Sequence, residues 1–283
     1  MKLLILGGGF TGVAVAHRAL SRGAEVVATT RSEARAESLR ALGVTPLVAP
    51  KLDAHALAPH LGAETHVVVT FPPGDAQHGS LDAELADSIT KARENKGIGA
   101  VVYVSSTGVY GNASGRVDEI TAVDPEAARA APRLDAEAAW KKAGATIVRA
   151  PGIYGPGRGM HLRLARGEIH SIDGGTNSIS RIHVADLAAA LLALLALSSR
   201  GETFVIGDHE PAPHIDVVRF LCEKLGLPMP PVDTKAPRVE TLSHDRRIDA
   251  ARLWTRIDSQ PEFPTYREGY AQCIASDGLS TKR

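Results

Sequence analysis

The sequence predicts an α/β fold, a doubly wound parallel sheet with a small C-terminal α+β lobe, and three observations carry that prediction. Leu3-Leu4-Ile5-Leu6 is a short unbroken apolar run, the pattern of a strand buried on both faces of a parallel sheet. A glycine turn, Gly7-Gly8-Gly9-Phe10-Thr11-Gly12, follows at once, and residues 13–20 after it read as a helix. Strand and helix segments then alternate to residue 105, which in a single sheet implies right-handed crossovers.

The turn has the spacing G-x-G-x-x-G between a strand and a helix, the context in which it signals a dinucleotide site and a Rossmann-type sheet. Gly7 permits the tight turn and Gly9 lets the backbone approach a pyrophosphate. Gly12 lets helix and strand pack closely, and Phe10 and Thr11 complete the cofactor-binding turn, with the free N–H groups and dipole of the helix facing the phosphates. A glycine turn without a ligand is the plain alternative.

Residues 24–30 read as the second strand, and Ser32 as the cap of a helix over 33–42. An NAD site would carry an acidic residue at the end of this strand for the ribose hydroxyls. Here stand Thr30, Arg31 and Ser32, with Arg35 one turn into the helix. A guanidinium and two hydroxyls suit a 2′-phosphate, so NADP is expected over NAD, against the plain reading of a solvated arginine. Residues 44–48 form a third strand, and a helical stretch begins at Leu52-Asp53. Residues 65–70 form a fourth strand, stopped by Pro72 and Pro73 at its carboxyl end, where ligands of open α/β sheets lie. Ser80 is a candidate cap for a helix over 81–95, and residues 100–105 form the fifth strand. That strand ends in Ser105-Ser106-Thr107, three hydroxyls placed either to bond a substrate oxygen or to close a local Ser/Thr turn.

Bulk properties exclude several classes. Thirty-two basic residues balance thirty-two acidic ones, so no net field draws the chain to nucleic acid or anionic lipid. Cys222 and Cys273 lack metal-ligand spacing and are expected as thiols in a reducing compartment, with no metal. The start of the chain is too short in apolar residues for a signal peptide. The apolar stretch 187–197 falls well short of the roughly 20 residues that span a bilayer, so a cytoplasmic location is expected.

Four ordered motifs place these elements in a wider pattern: residues 7–12, Ser105-Ser106-Thr107-Gly108-Val109-Tyr110-Gly111, Arg149-Ala150-Pro151-Gly152-Ile153-Tyr154-Gly155-Pro156-Gly157 and Arg181-Ile182-His183-Val184-Ala185-Asp186-Leu187. The chain resembles the extended short-chain dehydrogenases/reductases, the NAD(P)-dependent epimerase/dehydratase-like proteins. The likeness continues through Asp245-Arg246-Arg247 and Pro264-Thr265-Tyr266-Arg267-Glu268-Gly269. The resemblance implies that Ser106 is the catalytic hydroxyl polarising a carbonyl during hydride transfer. It also implies that Pro151-Gly152-Ile153 form the loop holding the nicotinamide carboxamide, and that Asp53 contacts the adenine.

The family's Tyr-x-x-x-Lys pair is missing. None of the five tyrosines, at 103, 110, 154, 266 and 270, is followed by lysine four residues later. Aligning Leu134-Asp135-Ala136-Glu137 with the family helix puts Arg133 at the lysine and Arg129 at the tyrosine. Arginine does not give up its proton near neutral pH, although Arg133 could bond the ribose hydroxyls. Pro132 is tolerated at a first helical position, so the helix is expected to start there. Tyr110 is the first surrogate proton donor, with Arg133 as the cation needed to lower its pKa. Tyr154 and His183 follow. The plainer readings make His183 a core histidine and Asp186 the cap of the helix over 187–197.

The domain expectation is an NADP-binding domain over 1–155, rejoined by 181–206, and a small substrate lobe over 156–180 and 207–283. Arg158, Arg163 and Arg166 in that lobe would meet a diphosphate or simply form a solvated face. The expected function is NADP(H)-dependent hydride transfer on a carbonyl, secondary alcohol or nucleotide sugar. The alternative is a non-catalytic NADP(H)-sensing protein. A small-molecule substrate and a second copy of the chain in a homodimer are the expected partners; nucleic acid and membrane are not.

Overall fold

In the computed structural model, which describes residues 1–73, 81–127, 130–172, 176–233 and 244–279, the apolar run after Met1 becomes β1 (Lys2–Leu6) and the helix after the glycines α1 (Phe10–Leu20). Then come β2 (Glu25–Thr30), α2 (Glu33–Ala41), β3 (Thr45–Val48) and the short α3 (Ala54–Leu57). β4 (Thr65–Val69), α4 (Leu81–Lys96) and β5 (Val101–Ser106) follow, and a single 3-10 turn, Thr107–Tyr110, leaves β5. The chain continues through β6 (Gly115–Val117), α5 (Ala131–Lys142), β7 (Thr146–Ala150), β8 (Gly152–Tyr154) and α6 (Met160–Ala165). β9 (Ser178–Ile179), β10 (Arg181–His183), α7 (Val184–Ala196), β11 (Thr203–Val205) and β12 (Ala212–Pro213) come next. α8 (His214–Leu225), β13 (Arg246–Ile248), α9 (Ala251–Arg256) and α10 (Tyr266–Ser276) complete it.

Seven strands form one sheet in the order β11-β7-β5-β4-β1-β2-β3. β1 pairs in parallel with both β2 and β4, and the outward pairs β2–β3 and β4–β5 are parallel as well. The chain therefore winds outward from β1 in two directions, the doubly wound order the alternation predicted. β1 is central, so Leu3, Leu4, Ile5 and Leu6 are all buried, which explains an apolar run without alternation. On one face Leu4, Leu6, Val67 and Val69 pack with Leu85 and Ile89 of α4 and Trp140 of α5.

Two compact units emerge. The first holds Met1–Gly111, Val123–Arg149 and Leu187–Phe204, and the second holds Asn112–Ala122, Ala150–Asp186 and Val205–Arg283. These boundaries differ from the sequence expectation for a physical reason. β8 pairs with β10, and β6 with β13, so residues 150–154, 112–122 and 181–186 go with the second unit. The second unit has its own core of Tyr154, Leu164, Val218, Leu221, Tyr266 and Ile274.

Local signals held where partners are near in sequence. The Ser32 hydroxyl accepts from the Arg35 amide at 3.4 Å, and Asp53 caps α3 by accepting from the Ala56 amide at 2.9 Å. α5 begins at Ala131, with Pro132 in its first turn. The Asp186 cap is corrected: α7 already begins at Val184, and the buried Asp186 carboxylate accepts from the amides of Glu262 (2.7 Å) and Phe263 (3.1 Å). Ser80 and Arg129 lie outside the described residues.

The crossing of β1 and α1 sets a steric limit. A Cβ on Gly12 would run into the Gly7 carbonyl oxygen and stand 3.1 Å from Ile5 Cγ2, whereas among the described residues a Cβ on Gly9 would meet nothing within 4 Å. Gly12→Ala is therefore expected to destabilise the protein by about 1–3 kcal/mol in urea unfolding, and Gly9→Ala to leave the midpoint nearly unchanged.

Candidate functional site

In the first unit, the glycine turn is fastened to its neighbouring strands. Gly7, with φ +113°, donates its amide to Thr29 Oγ1 (2.9 Å), and the Gly8 amide donates to the Thr29 carbonyl (2.8 Å). From the other side Thr70 Oγ1 donates to the Gly7 carbonyl at 2.7 Å. Gly7 must be glycine, since its φ is left-handed and a Cβ would approach Thr70 Oγ1 to 2.7 Å. Phe10 opens α1 half-buried, Thr11 is buried behind it, and Gly9 is the N-cap. Among the described residues no side chain caps α1, and its first turn carries no acidic residue. The turn thus offers an open backbone face and a positive helix end, the requirements of a pyrophosphate.

At the end of β2, Arg35 Nε donates to the Gly8 carbonyl at 3.0 Å, which holds its guanidinium beside the glycine turn. Arg31 is exposed at the carboxyl end of the same strand, and Thr30 Oγ1 accepts from the Ser32 amide at 3.5 Å. Asp53 lies half-buried after β3, with Oδ1 committed to its helix cap. Pro72 is exposed just beyond β4.

β5 delivers the hydroxyl loop. Ser106 is half-buried and its Oγ accepts from the Gly108 amide at 3.1 Å, so the local Ser/Thr turn forms. That contact uses an oxygen lone pair and leaves the hydroxyl proton for another acceptor. Tyr110 closes the turn and is 1% exposed. Its expected cation is corrected. Arg149 Nη1 donates to the Tyr110 hydroxyl at 3.0 Å and the guanidinium lies 5.1 Å from the ring centroid. Arg133, from the first turn of α5, instead donates to the Tyr103 hydroxyl at 3.4 Å. Arg149 prevails because β7 lies next to β5 in the sheet.

Behind the loop is a buried polar network that the sequence reading missed. Arg149 Nε and Nη2 meet both oxygens of Glu137 at 2.7–3.3 Å, and Ser105 Oγ donates to Glu137 Oε1 at 2.5 Å. Burial works against the Arg149 charge, and the Glu137 carboxylate with the Tyr110 hydroxyl more than offsets it, leaving its pKa raised. A signal was present: Arg149 is the one charged residue in the strand TIVRA, and a buried arginine needs a partner.

The second unit, taken by itself, holds Pro151, Gly152 and Ile153. Gly152 and Ile153 belong to β8, in register with Arg181 and Ile182, rather than to an open loop. The other surrogate donors are core residues here. His183 is 1% exposed, between Tyr154 and Phe263, and burial lowers its pKa to about 4. Tyr154 is buried too, and burial raises its pKa. Neither exchanges a proton readily at neutral pH. Arg163 and Arg166 are exposed and face Glu168 at 4.0 and 3.8 Å, as a solvated face would. Among the described residues no group of three or more His, Cys, Asp and Glu could hold a metal ion, and no helix is long and apolar enough to cross a membrane.

A sequence model of the NAD(P)H-binding family matches residues 7–194. The chain belongs to that family. Its fold is shared with solved epimerase and dehydratase structures. It is similar to a functionally unknown conserved protein from Silicibacter pomeroyi DSS, with 33% identity and a TM-score of 0.84 over 97% of this chain and 98% of that one. Among curated proteins, the 2-alkyl-3-oxoalkanoate reductase of Stenotrophomonas maltophilia is 29% identical over 94% of this chain and 87% of that one. MoeE5, solved with UDP-glucose and NAD, shares the fold at 21% identity and a TM-score of 0.79, covering 99% of this chain and all of that one.

Asp208, in the second unit, is buried; its Oδ1 accepts from the Glu210 amide at 3.3 Å, and among the described residues Oδ2 has no hydrogen-bond partner. It lines a cavity of about 360 Å³ together with Ile248 and Trp254. Burial pushes its pKa up from 3.8 to about 7, with Arg181 opposing. Between those values the folded chain holds a proton that the unfolded chain has lost, so stability falls as pH rises from about 4 through 7. Asp208→Asn is expected to match the wild type near pH 4 and to exceed it by a few kcal/mol at pH 8 in chemical unfolding.

Proposed function

We propose that this chain is an NADP(H)-dependent oxidoreductase acting on a carbonyl or the corresponding secondary alcohol. The observation that carries the reading is the pairing of the open Gly9 face with Arg35, whose guanidinium is held on the Gly8 carbonyl. Backbone N–H groups at the start of α1 would hold the pyrophosphate. Arg31 and Arg35, with the Ser32 hydroxyl, would hold a 2′-phosphate where an NAD site would need a carboxylate. Asp53 and Pro72 would line the adenine side, and Pro151, Gly152 and Ile153 would hold the carboxamide. When bound, the cofactor supplies or accepts hydride at its nicotinamide.

Ser106 keeps its hydroxyl proton for a substrate oxygen, because the Gly108 amide contact uses the oxygen as acceptor and not the O–H as donor. It would polarise the carbonyl, or receive the hydroxyl in the reverse direction. The name of the Stenotrophomonas relative favours a 3-oxo acid as substrate class; the UDP-glucose bound to MoeE5 favours a nucleotide sugar. The proton itself is not assigned to Tyr110, whose hydroxyl is buried against Arg149.

One observation supports a second reading, binding without turnover. The loop hydroxyls Ser105 and Tyr110 are both tied into buried contacts, and the Tyr-x-x-x-Lys pair is absent. Mixing the protein with NADPH and a panel of 3-oxo acids, simple ketones and nucleotide sugars separates the two. Consumption of NADPH that Ser106→Ala lowers at least roughly tenfold supports the enzyme; tight binding with no consumption supports the sensor. Arg35→Ala is expected to weaken NADPH roughly ten- to hundredfold in fluorescence titration, with little effect on NADH. Equal losses for both nucleotides would remove Arg35 from the phosphate site.

A further inference from the structure

Helix α5 is where the resemblance places the tyrosine and lysine. It carries Arg133, bonded to Tyr103, and one turn later Glu137, which is 6% exposed. Both Glu137 oxygens are occupied: Oε1 accepts from Ser105 Oγ and Arg149 Nε, and Oε2 from Arg149 Nη2. The bidentate fork fixes the guanidinium plane, and Nη1, the donor left over, points to the Tyr110 hydroxyl. Ser105 and Tyr110 bracket Ser106, so a single carboxylate on α5 fastens both ends of the 105–110 loop.

We propose that Glu137 is a positioning residue that fixes the Ser106 hydroxyl through Ser105 and the Arg149–Tyr110 contact. This rests on the reading of Ser106 as the carbonyl partner. Stability alone is a poor account of the pair, since a buried ion pair commonly gives way to apolar residues of similar volume at little or no cost. What an apolar pair cannot supply is a fixed set of acceptors and donors at two points of one loop. Glutamine would turn its N–H₂ toward Arg149 in either orientation, since both carboxylate oxygens accept from the guanidinium, breaking one arm of the fork. Aspartate keeps the charge on a shorter stem.

Hydrogen exchange on the nucleotide-free full chain tests the claim without needing a substrate. In Glu137→Gln, amides 106–111 are expected to exchange at least roughly tenfold faster, with β1 and β4 unchanged. Glu137→Asp is expected to fall between it and the wild type. NADPH affinity should stay within roughly twofold. With an accepted carbonyl substrate, kcat should fall at least roughly tenfold at constant cofactor KM, and Glu137→Gln should add nothing to Ser106→Ala. The double variant Glu137→Leu, Arg149→Met separates fastening from folding: its midpoint should return toward wild type while the loop stays fast. Wild-type exchange over 106–111 in Glu137→Gln overturns the proposal. So does faster exchange spread evenly through the sheet, or a double variant that recovers loop protection. If Glu137→Gln does not fold, the double variant decides by the same loop readout. Wild-type protein that never consumes NADPH refutes the oxidoreductase reading alone, and the exchange result still judges Glu137.

Discussion

The approach of the Gly7 carbonyl to Gly12 is the constraint on which the rest of the first unit depends. At that point β1 turns into α1 with no room for a side chain, and the open backbone at Gly9 follows from it. The turn is held from both sides, by Thr29 on β2 and Thr70 after β4. Because β1 lies between β2 and β4, the strands that frame the turn are also those that supply Arg31 and Pro72 at their ends. A central buried strand thus sets the glycine turn and the residues around it in one place.

The polar network behind the hydroxyl loop obeys a different logic. Apolar contacts tolerate exchange of one hydrocarbon for another, whereas a buried guanidinium must have each donor met or suffer the full cost of desolvation. Arg149 meets that demand with Glu137 and Tyr110, which ties α5, β7 and the loop after β5 to one arrangement. An arrangement so fully specified shapes a loop more sharply than packing does. It also explains why Tyr110, a natural surrogate by position, has its hydroxyl committed elsewhere.

What could be read from the sequence divides along the range of the interactions. β1, the glycine turn and the Ser32 cap depend on residues within a few positions of one another, and each was legible. The Asp186 cap failed because two amides some 76 residues away claim its carboxylate. The Arg133–Tyr110 pairing failed because strand order, not sequence distance, brought Arg149 beside the tyrosine. Glu137 carries no signal of its own within its helix; only its neighbours on β5 and β7 give it a task. β8 was unreadable as a strand because its pairing with β10 is set by three residues on each side.

A side-by-side calorimetric titration of the wild-type chain with NADPH and NADH reads the choice between the two nucleotides. The arrangement of Arg31 and Arg35 about the glycine turn predicts NADPH tighter by at least roughly tenfold, the worth of a charge-assisted contact to the extra phosphate. Equal affinities, tighter NADH, or no heat from either nucleotide would contradict it.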